Sequence, residues 1–201
     1  MKKLSVLIAL ALVLTIGGAY ATWTYLTGEM VAVDEEMAVA MGGLEELNTP
    51  YGTYKIDSIP TYIVEPKSAT NRVTTLQETK NDEGESTSPD LVITFTPATN
   101  AEDTVKNNAI PTVLTIEIDD ENPFGTYNDG TSDRTIIAIN TASVELNWEK
   151  GDDGVFTATI TSETFMTYLN LTEITLGTVE AYEAYAAALA SGKIILTVDA
   201  Q

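Results

Sequence analysis

The middle of the chain reads Pro111-Thr112-Val113-Leu114-Thr115-Ile116-Glu117-Ile118, and its side chains alternate in kind. Leu114, Ile116 and Ile118 fall on one face of an extended segment, while the intervening residues, two of them polar, fall on the other. This period of two is typical of a strand with one face in a core and the other in solvent. The segment therefore predicts an antiparallel sheet.

Short runs of the same β-rich character, separated by turn residues, occur on both sides of this segment. The loop Gly151-Asp152-Asp153-Gly154 is typical of a hairpin. The stretch 77–90 is almost without apolar side chains and predicts a mobile polar loop. The strands predicted beside 111–118 are Thr53–Ile59, Thr61–Val64, Leu91–Thr96, Thr135–Asn140, Ser143–Trp148, Val155–Thr161 and Lys193–Val198.

One segment departs from the β pattern. Thr178 is a good N-cap, and apolar side chains recur at helical spacing after it, as far as Ala190. Gly192 predicts a stop, so we expect one short helix over about 178–191, just before the last strand. The sequence thus predicts an all-β fold, an antiparallel jelly-roll-like sandwich that carries one short helix.

The N-terminus predicts a signal peptide over residues 1–21. Lys2 and Lys3 are followed by an apolar run from Leu4 to Ile16, and Ala19-Tyr20-Ala21 fits a signal-peptidase site. The apolar run is shorter than the roughly 20 residues that span a bilayer, although a retained anchor is the competing interpretation. We expect a secreted protein with an N-terminal arm at 22–50 and a β-sandwich at 51–201.

Composition excludes several classes of function. The chain has 30 acidic and 10 basic residues, no histidine and no cysteine. Disulfides, thiolate nucleophiles and histidine-based metal or acid–base chemistry are therefore excluded. Removing Lys2 and Lys3 takes the formal charge from −20 to −22. Such a charge repels nucleic acid and anionic lipid, so we expect neither as a partner of the mature protein.

Carboxylates are the only abundant reactive groups, and they suggest no catalytic site. Serine has no histidine to activate it, and the phosphate-binding glycine motifs are missing, so the sequence predicts no enzyme and no bound cofactor. Calcium is the one ligand that an acidic loop would suit, although the EF-hand spacing is absent. The candidate calcium ligands are Asp119, Asp120, Glu121, Asp129 and Asp133.

The arm begins with Thr22-Trp23-Thr24-Tyr25, which alternates polar and aromatic residues directly after the predicted cleavage site. Such a strand either pairs within its own sheet or adds to an edge of a neighbouring copy. Head-to-tail donation of this kind grows a filament. Residues 22–33 would be the donor, with Trp23, Tyr25, Val31 and Val33 as its assembly residues.

The stretch Ile16-Gly17-Gly18-Ala19-Tyr20-Ala21-Thr22-Trp23-Thr24-Tyr25 resembles the export and cleavage region of the TasA/camelysin-like family of secreted surface and biofilm-matrix fibre subunits, which are similar to archaeal bundling pilins. The resemblance implies a jelly-roll subunit that polymerises by donating its N-terminal strand after cleavage. The metalloprotease activity ascribed to camelysin-like members has no histidine here to support it. The acidic-hydrophobic stretch Glu29–Glu46 departs from the family pattern, which leaves the strand order open.

Two hypotheses about function follow. The first is a secreted structural subunit, at the cell surface or in the extracellular matrix, that forms homopolymeric filaments by donor-strand exchange. The alternative is a monomeric cell-surface binding module for carbohydrate or calcium. Because copies of charge −22 repel one another, we expect salt, or calcium that bridges carboxylates, to promote assembly.

Overall fold

The computed structural model describes residues 24–26, 29–31, 37–43, 46–49, 51–66, 72–98, 110 and 112–198. The predicted signal peptide, 1–21, lies outside these residues. No helix within the described ranges is long and apolar enough to cross a membrane.

Three sheets of three to five strands form the body of the protein. The four-stranded sheet has the order β14-β10-β18-β4, with strands Ser143–Glu145, Val113–Ile118, Ile194–Val198 and Met41–Gly43. The five-stranded sheet has the order β15-β16-β9-β6-β5, with strands Trp148–Lys150, Phe156–Ile160, Leu91–Pro97, Gly52–Ser58 and Glu46–Thr49. The three-stranded sheet has the order β3-β7-β8, with strands Met37–Val39, Tyr62–Pro66 and Thr74–Glu78.

Three two-stranded sheets and two helices complete the described elements. The small sheets pair β1 with β2 (Thr24–Leu26, Glu29–Val31), β11 with β12 (Thr126–Asn128, Asp133–Thr135) and β13 with β17 (Ile137–Ile139, Leu169–Leu171). The helices are α1, Ser162–Met166, and α2, Val179–Ala190. The predicted all-β sandwich with a short helix before its last strand is confirmed.

The segment 111–118 supplies β10, near the centre of the four-stranded sheet. β10 pairs antiparallel with β18 along five positions, from Leu114 opposite Val198 to Ile118 opposite Ile194. Its other edge pairs with the three residues of β14. Leu114 and Ile116 are fully buried, as the alternation predicts. One pair departs from the antiparallel pattern, because β4 runs parallel to β18.

Two predicted boundaries differ in the structure. The arm was expected to extend to residue 50, but β3 pairs with β7, β4 with β18 and β5 with β6, so residues from Met37 onward belong to the body. Met37 and Val39 are buried against the body. The sequence of this stretch fits both a helix and a strand, and the burial of these two side chains favours the strand. Within the predicted loop 77–90, Gln77 and Glu78 are already part of β8.

The helix predicted over 178–191 is confirmed as α2. The Thr178 hydroxyl accepts the N–H of Ala181 at 3.1 Å, and the helix ends at Ser191. The sequence did not predict α1, because the preceding strand was extended to Thr161. In the structure, Thr161 ends the extended region and caps α1, and its side chain accepts the N–H of Thr164 at 3.3 Å.

A polar pair inside the core joins β7 to α1. Tyr62 is only 1% exposed, and its hydroxyl donates to the backbone carbonyl of Ser162 at 2.6 Å. The Ser162 N–H donates in turn to Asp90 Oδ1 at 2.9 Å, and its hydroxyl bonds to that of Ser88 at 2.7 Å. These bonds fix the end of the polar loop against the N-terminus of α1.

Two buried tyrosines offer a matched test of this network. Tyr62→Phe should lower the free energy of unfolding by about 1 kcal/mol, because it removes a buried hydrogen bond between β7 and α1. Tyr185→Phe should change it by no more than about 0.5 kcal/mol, since the buried Tyr185 hydroxyl makes no hydrogen bond of ordinary geometry to any described residue. Urea denaturation of both variants measures the difference, and equal losses would contradict it.

Candidate functional site

An open seam lies between two neighbouring strands, β10 and β13. They come together where the chain passes from β13 to β14: there the N–H of Ile116 donates to the carbonyl of Ala142 at 2.9 Å, next to the first residue of β14. Beyond that bond they diverge: β13 pairs with β17, and the far edge of β10 pairs with β18. The gap is a cavity of about 400 Å³. We call it the seam; its walls are Ile116–Ile118 and Ile137–Ile139, and Ala142 is its vertex.

Backbone groups on both walls point into the seam. On β13, Asn140 donates to Tyr168 at 2.8 Å and Ile136 accepts from Thr172 at 2.9 Å, so its even-numbered residues bond to β17. Because hydrogen-bonding direction alternates along a strand, the N–H and C=O groups of Ile137 and Ile139 face the seam.

The same alternation applies to the other wall. The bond from the Ile116 N–H to Ala142 shows that the backbone groups of even-numbered β10 residues point toward β14. The bond from the Asp119 N–H to Lys193 shows that those of odd-numbered residues point toward β18. The peptide groups of Ile118 therefore face the seam. No strand in the described part of the chain pairs with these groups, so the seam has two facing edges.

The interior of the seam is apolar and its rim is acidic. Ile116 and Ile137 are fully buried, and Ile118 and Ile139 are half-buried against the core. Glu117 and Asp120 line the same cavity and are exposed. Facing strand edges with an apolar floor are able to accept an extended segment by strand addition.

The arm forms a small sheet of its own. β1 and β2 pair antiparallel, with Thr24 opposite Val31 and Tyr25 opposite Met30. Two of the predicted assembly residues, Tyr25 and Val31, thus lie on partner strands of one hairpin. The other two, Trp23 and Val33, lie outside the described residues. The sequence predicted a single donor strand over residues 22–33, whereas the structure has two short paired strands, β1 and β2, within this range.

The candidate calcium ligands fall in two loops. Asp119, Asp120 and Glu121 follow β10. Asp119 accepts the side-chain N–H of Asn122 and the backbone N–H of Glu121, both at 2.9 Å. These bonds, the Asn122 amide first, hold the pKa of the Asp119 carboxyl below its usual value.

Asp129 lies in the loop between β11 and β12, and Asp133 begins β12. The Asp129 carboxylate accepts from the hydroxyl and N–H of Thr131, the N–H of Ser132 and Nε of Arg134, at 2.5–2.9 Å. The Thr131 hydroxyl bond and the Arg134 bond lower its pKa well below the usual range. Asp133 accepts the amide of Asn128 at 2.8 Å.

Within the part of the chain that the structure describes, no three carboxylates lie close enough together to hold a metal ion. Asp129 Oδ1 already accepts three hydrogen bonds, and Oδ2 accepts one from Arg134, whose positive charge opposes a cation there. Calcium binding by the five residues therefore stays a prediction without a preformed cage among the described residues.

No family model matches the chain, and no curated protein or solved structure matches it. The resemblance of the cleavage region to the TasA/camelysin-like family accordingly remains a prediction from the sequence.

Proposed function

We propose that the protein is a secreted structural subunit that polymerises into extracellular filaments, with the N-terminal arm of one copy added as a strand to the seam of the next. The observation that carries this proposal is the pair of facing strand edges at Ile118 and at Ile137–Ile139, with which none of the described strands pairs. Unpaired edges of this kind are a template for another chain.

The side-chain pattern of the arm suits the seam. An inserted strand would direct alternate side chains toward the isoleucines of the floor and the others toward the solvent side, beside Glu117. Thr22-Trp23-Thr24-Tyr25 has this alternation, with two aromatic residues to bury and two threonines to expose. Main-chain bonds would then supply affinity, and the aromatic residues would set the register.

The partner in this proposal is a second copy of the chain. The arm and the seam are two different surfaces of the same chain, so a contact between the arm of one copy and the seam of the next is head-to-tail and continues from copy to copy. Burial of the arm would also stabilise a chain that has no cysteine for a disulfide. The proposal assigns a structural role and no catalytic residue, and it places the filament at the cell surface or in the extracellular matrix.

Sedimentation of the mature protein, residues 22–201, tests the proposal. We expect mass that rises with protein concentration, filaments under the electron microscope, and more polymer at higher salt or with calcium, because both weaken repulsion between acidic copies. A species that stays monomeric at every concentration and salt level would contradict the proposal.

A further inference from the structure

A second cavity, of about 360 Å³, shares no lining residue with the seam. One wall is the β11–β12 hairpin, and the other is the segment 173–175, which leads toward α2. This volume is near the lower end of the range for small-molecule sites, about 300–1,000 Å³. Its lining residues are Tyr127, Asp129, Thr131, Arg134, Glu173, Ile174 and Thr175.

Both walls are held in place by hydrogen bonds. The four bonds of the Asp129 carboxylate fix the hairpin loop, as described above. On the opposite wall, Ile174 donates to the Thr74 hydroxyl at 3.0 Å and accepts from the Thr74 N–H at 2.9 Å. Thr175 forms a bridge with Val73. A ligand would therefore meet a cavity that is already formed, with little ordering cost.

Arg134 gives the cavity its chemical character. Its Nε donates to Asp129 Oδ2 at 2.8 Å, and half of its side chain is exposed. Its two terminal nitrogens make no hydrogen bond to the described residues. Because Arg134 lines the cavity, these nitrogens can donate to a ligand there, and their fork can serve two neighbouring oxygens at once.

The remaining polar groups select among oxygen-rich ligands. Two carboxylates and one guanidinium line the cavity, so its net charge is negative. This charge and the acidic character of the whole chain both repel an anionic ligand. Glu173 can only accept hydrogen bonds when ionised, the Thr131 hydroxyl already donates to Asp129 and can only accept, and the Thr175 hydroxyl can donate or accept. A neutral diol suits Arg134, Glu173 and the two threonines, because its hydroxyls can accept from the guanidinium and donate to the Glu173 carboxylate or to a threonine oxygen.

We propose that this cavity binds a neutral saccharide of one or two rings through neighbouring hydroxyls. The proposal does not depend on filament formation: no residue of the seam or the arm lines the cavity.

Equilibrium dialysis of the mature protein tests this site, because uptake of a small sugar is measured whether or not the protein polymerises. The probes are glucose, galactose, N-acetylglucosamine and cellobiose, each up to about 10 mM, with glucuronate as the anionic comparison. We expect saturable uptake of at least one neutral probe at about one site per chain, and weaker uptake of glucuronate.

Two variants assign the uptake to the cavity. Glu173→Gln and Thr175→Val should each weaken binding about tenfold, since each removes or weakens a polar partner of the sugar. Glu163→Gln, on the exposed surface of α1, is the matched control and should bind as the unaltered protein does. The proposal would be overturned if none of the four neutral probes showed saturable uptake, or if the protein preferred glucuronate. It would also be overturned if the two cavity variants bound the sugar as well as the unaltered protein does.

Discussion

Mature subunits that carry Ile139→Asp are expected to fold but to form no filaments. Ile139 is half-buried on the wall of the seam, and an inserted strand would cover it. A carboxylate at this position would be buried without a partner, which costs about 3 kcal/mol or more. That cost raises the protein concentration needed for assembly at least about 100-fold.

Two further variants separate loss of assembly from loss of folding. Ile160→Asp is the matched control: Ile160 is also a half-buried isoleucine packed against the core, but it lies on β16 in the five-stranded sheet and does not line the seam, so this variant should still polymerise. Ala142→Arg places bulk and charge at the exposed vertex of the seam and should block assembly with little effect on the core. Circular dichroism and thermal melting establish folding, and electron microscopy scores filaments.

A mixing experiment tests the direction of donation. A subunit without residues 22–33 keeps the seam but has no donor, whereas Ile139→Asp keeps the donor but has a blocked seam. Neither should polymerise alone, and together they should form dimers that grow no further, visible as one new species in sedimentation. Filaments from the Ile139→Asp subunit at ordinary concentration, or the absence of any complex in the mixture, would show that the seam does not accept the arm.

The sequence predicted the long strands of the body because their alternation is a local property. β6, β9, β10, β16 and β18 fall within a residue or two of the expected segments. It missed β3–β5 and β8, whose short segments carry weak patterns of their own. In β8, TTLQE has one large apolar residue, and its place is set by pairing with β7 and by the burial of Thr74. Such pairing is decided by residues far away along the chain.

The candidate sites depend still more on distant parts of the chain. Both walls of the seam were predicted as strands, yet no local pattern indicates that β13 pairs with β17 and that the chain joins β10 only from Ala142 onward, as β14. The second cavity joins Arg134 to Glu173, which are far apart in sequence and carry no motif. The predicted calcium loop, by contrast, was a local pattern, and its Asp129 serves as an acceptor within its own turn.

The sequence correctly predicted that the helix ends at Gly192, but the physical reason for a glycine at this position is different from the one expected. The sequence predicted it as the stop of the helix, where glycine often adopts a left-handed backbone. The helix does end there, but its C-cap is Ser191, in a right-handed conformation, and Gly192 is not among the glycines with positive φ. Its backbone instead packs against Phe124: a Cβ at Gly192 would lie 2.5 Å from the Phe124 Cα and closer still to its ring.

Gly192→Ala is therefore expected to lower the free energy of unfolding by about 3 kcal/mol or more, because the methyl group meets backbone that no side-chain rotation can move away. For a chain of this size the melting temperature should fall by about 10 °C. Gly177→Ala, just before α2, is the control: nothing lies within 4 Å of its Cβ, so its melting temperature should stay close to that of the unaltered protein. A similar small change in both variants would mean that Phe124 is able to withdraw, and that the contact between the end of α2 and residues 122–125 is looser than the structure indicates.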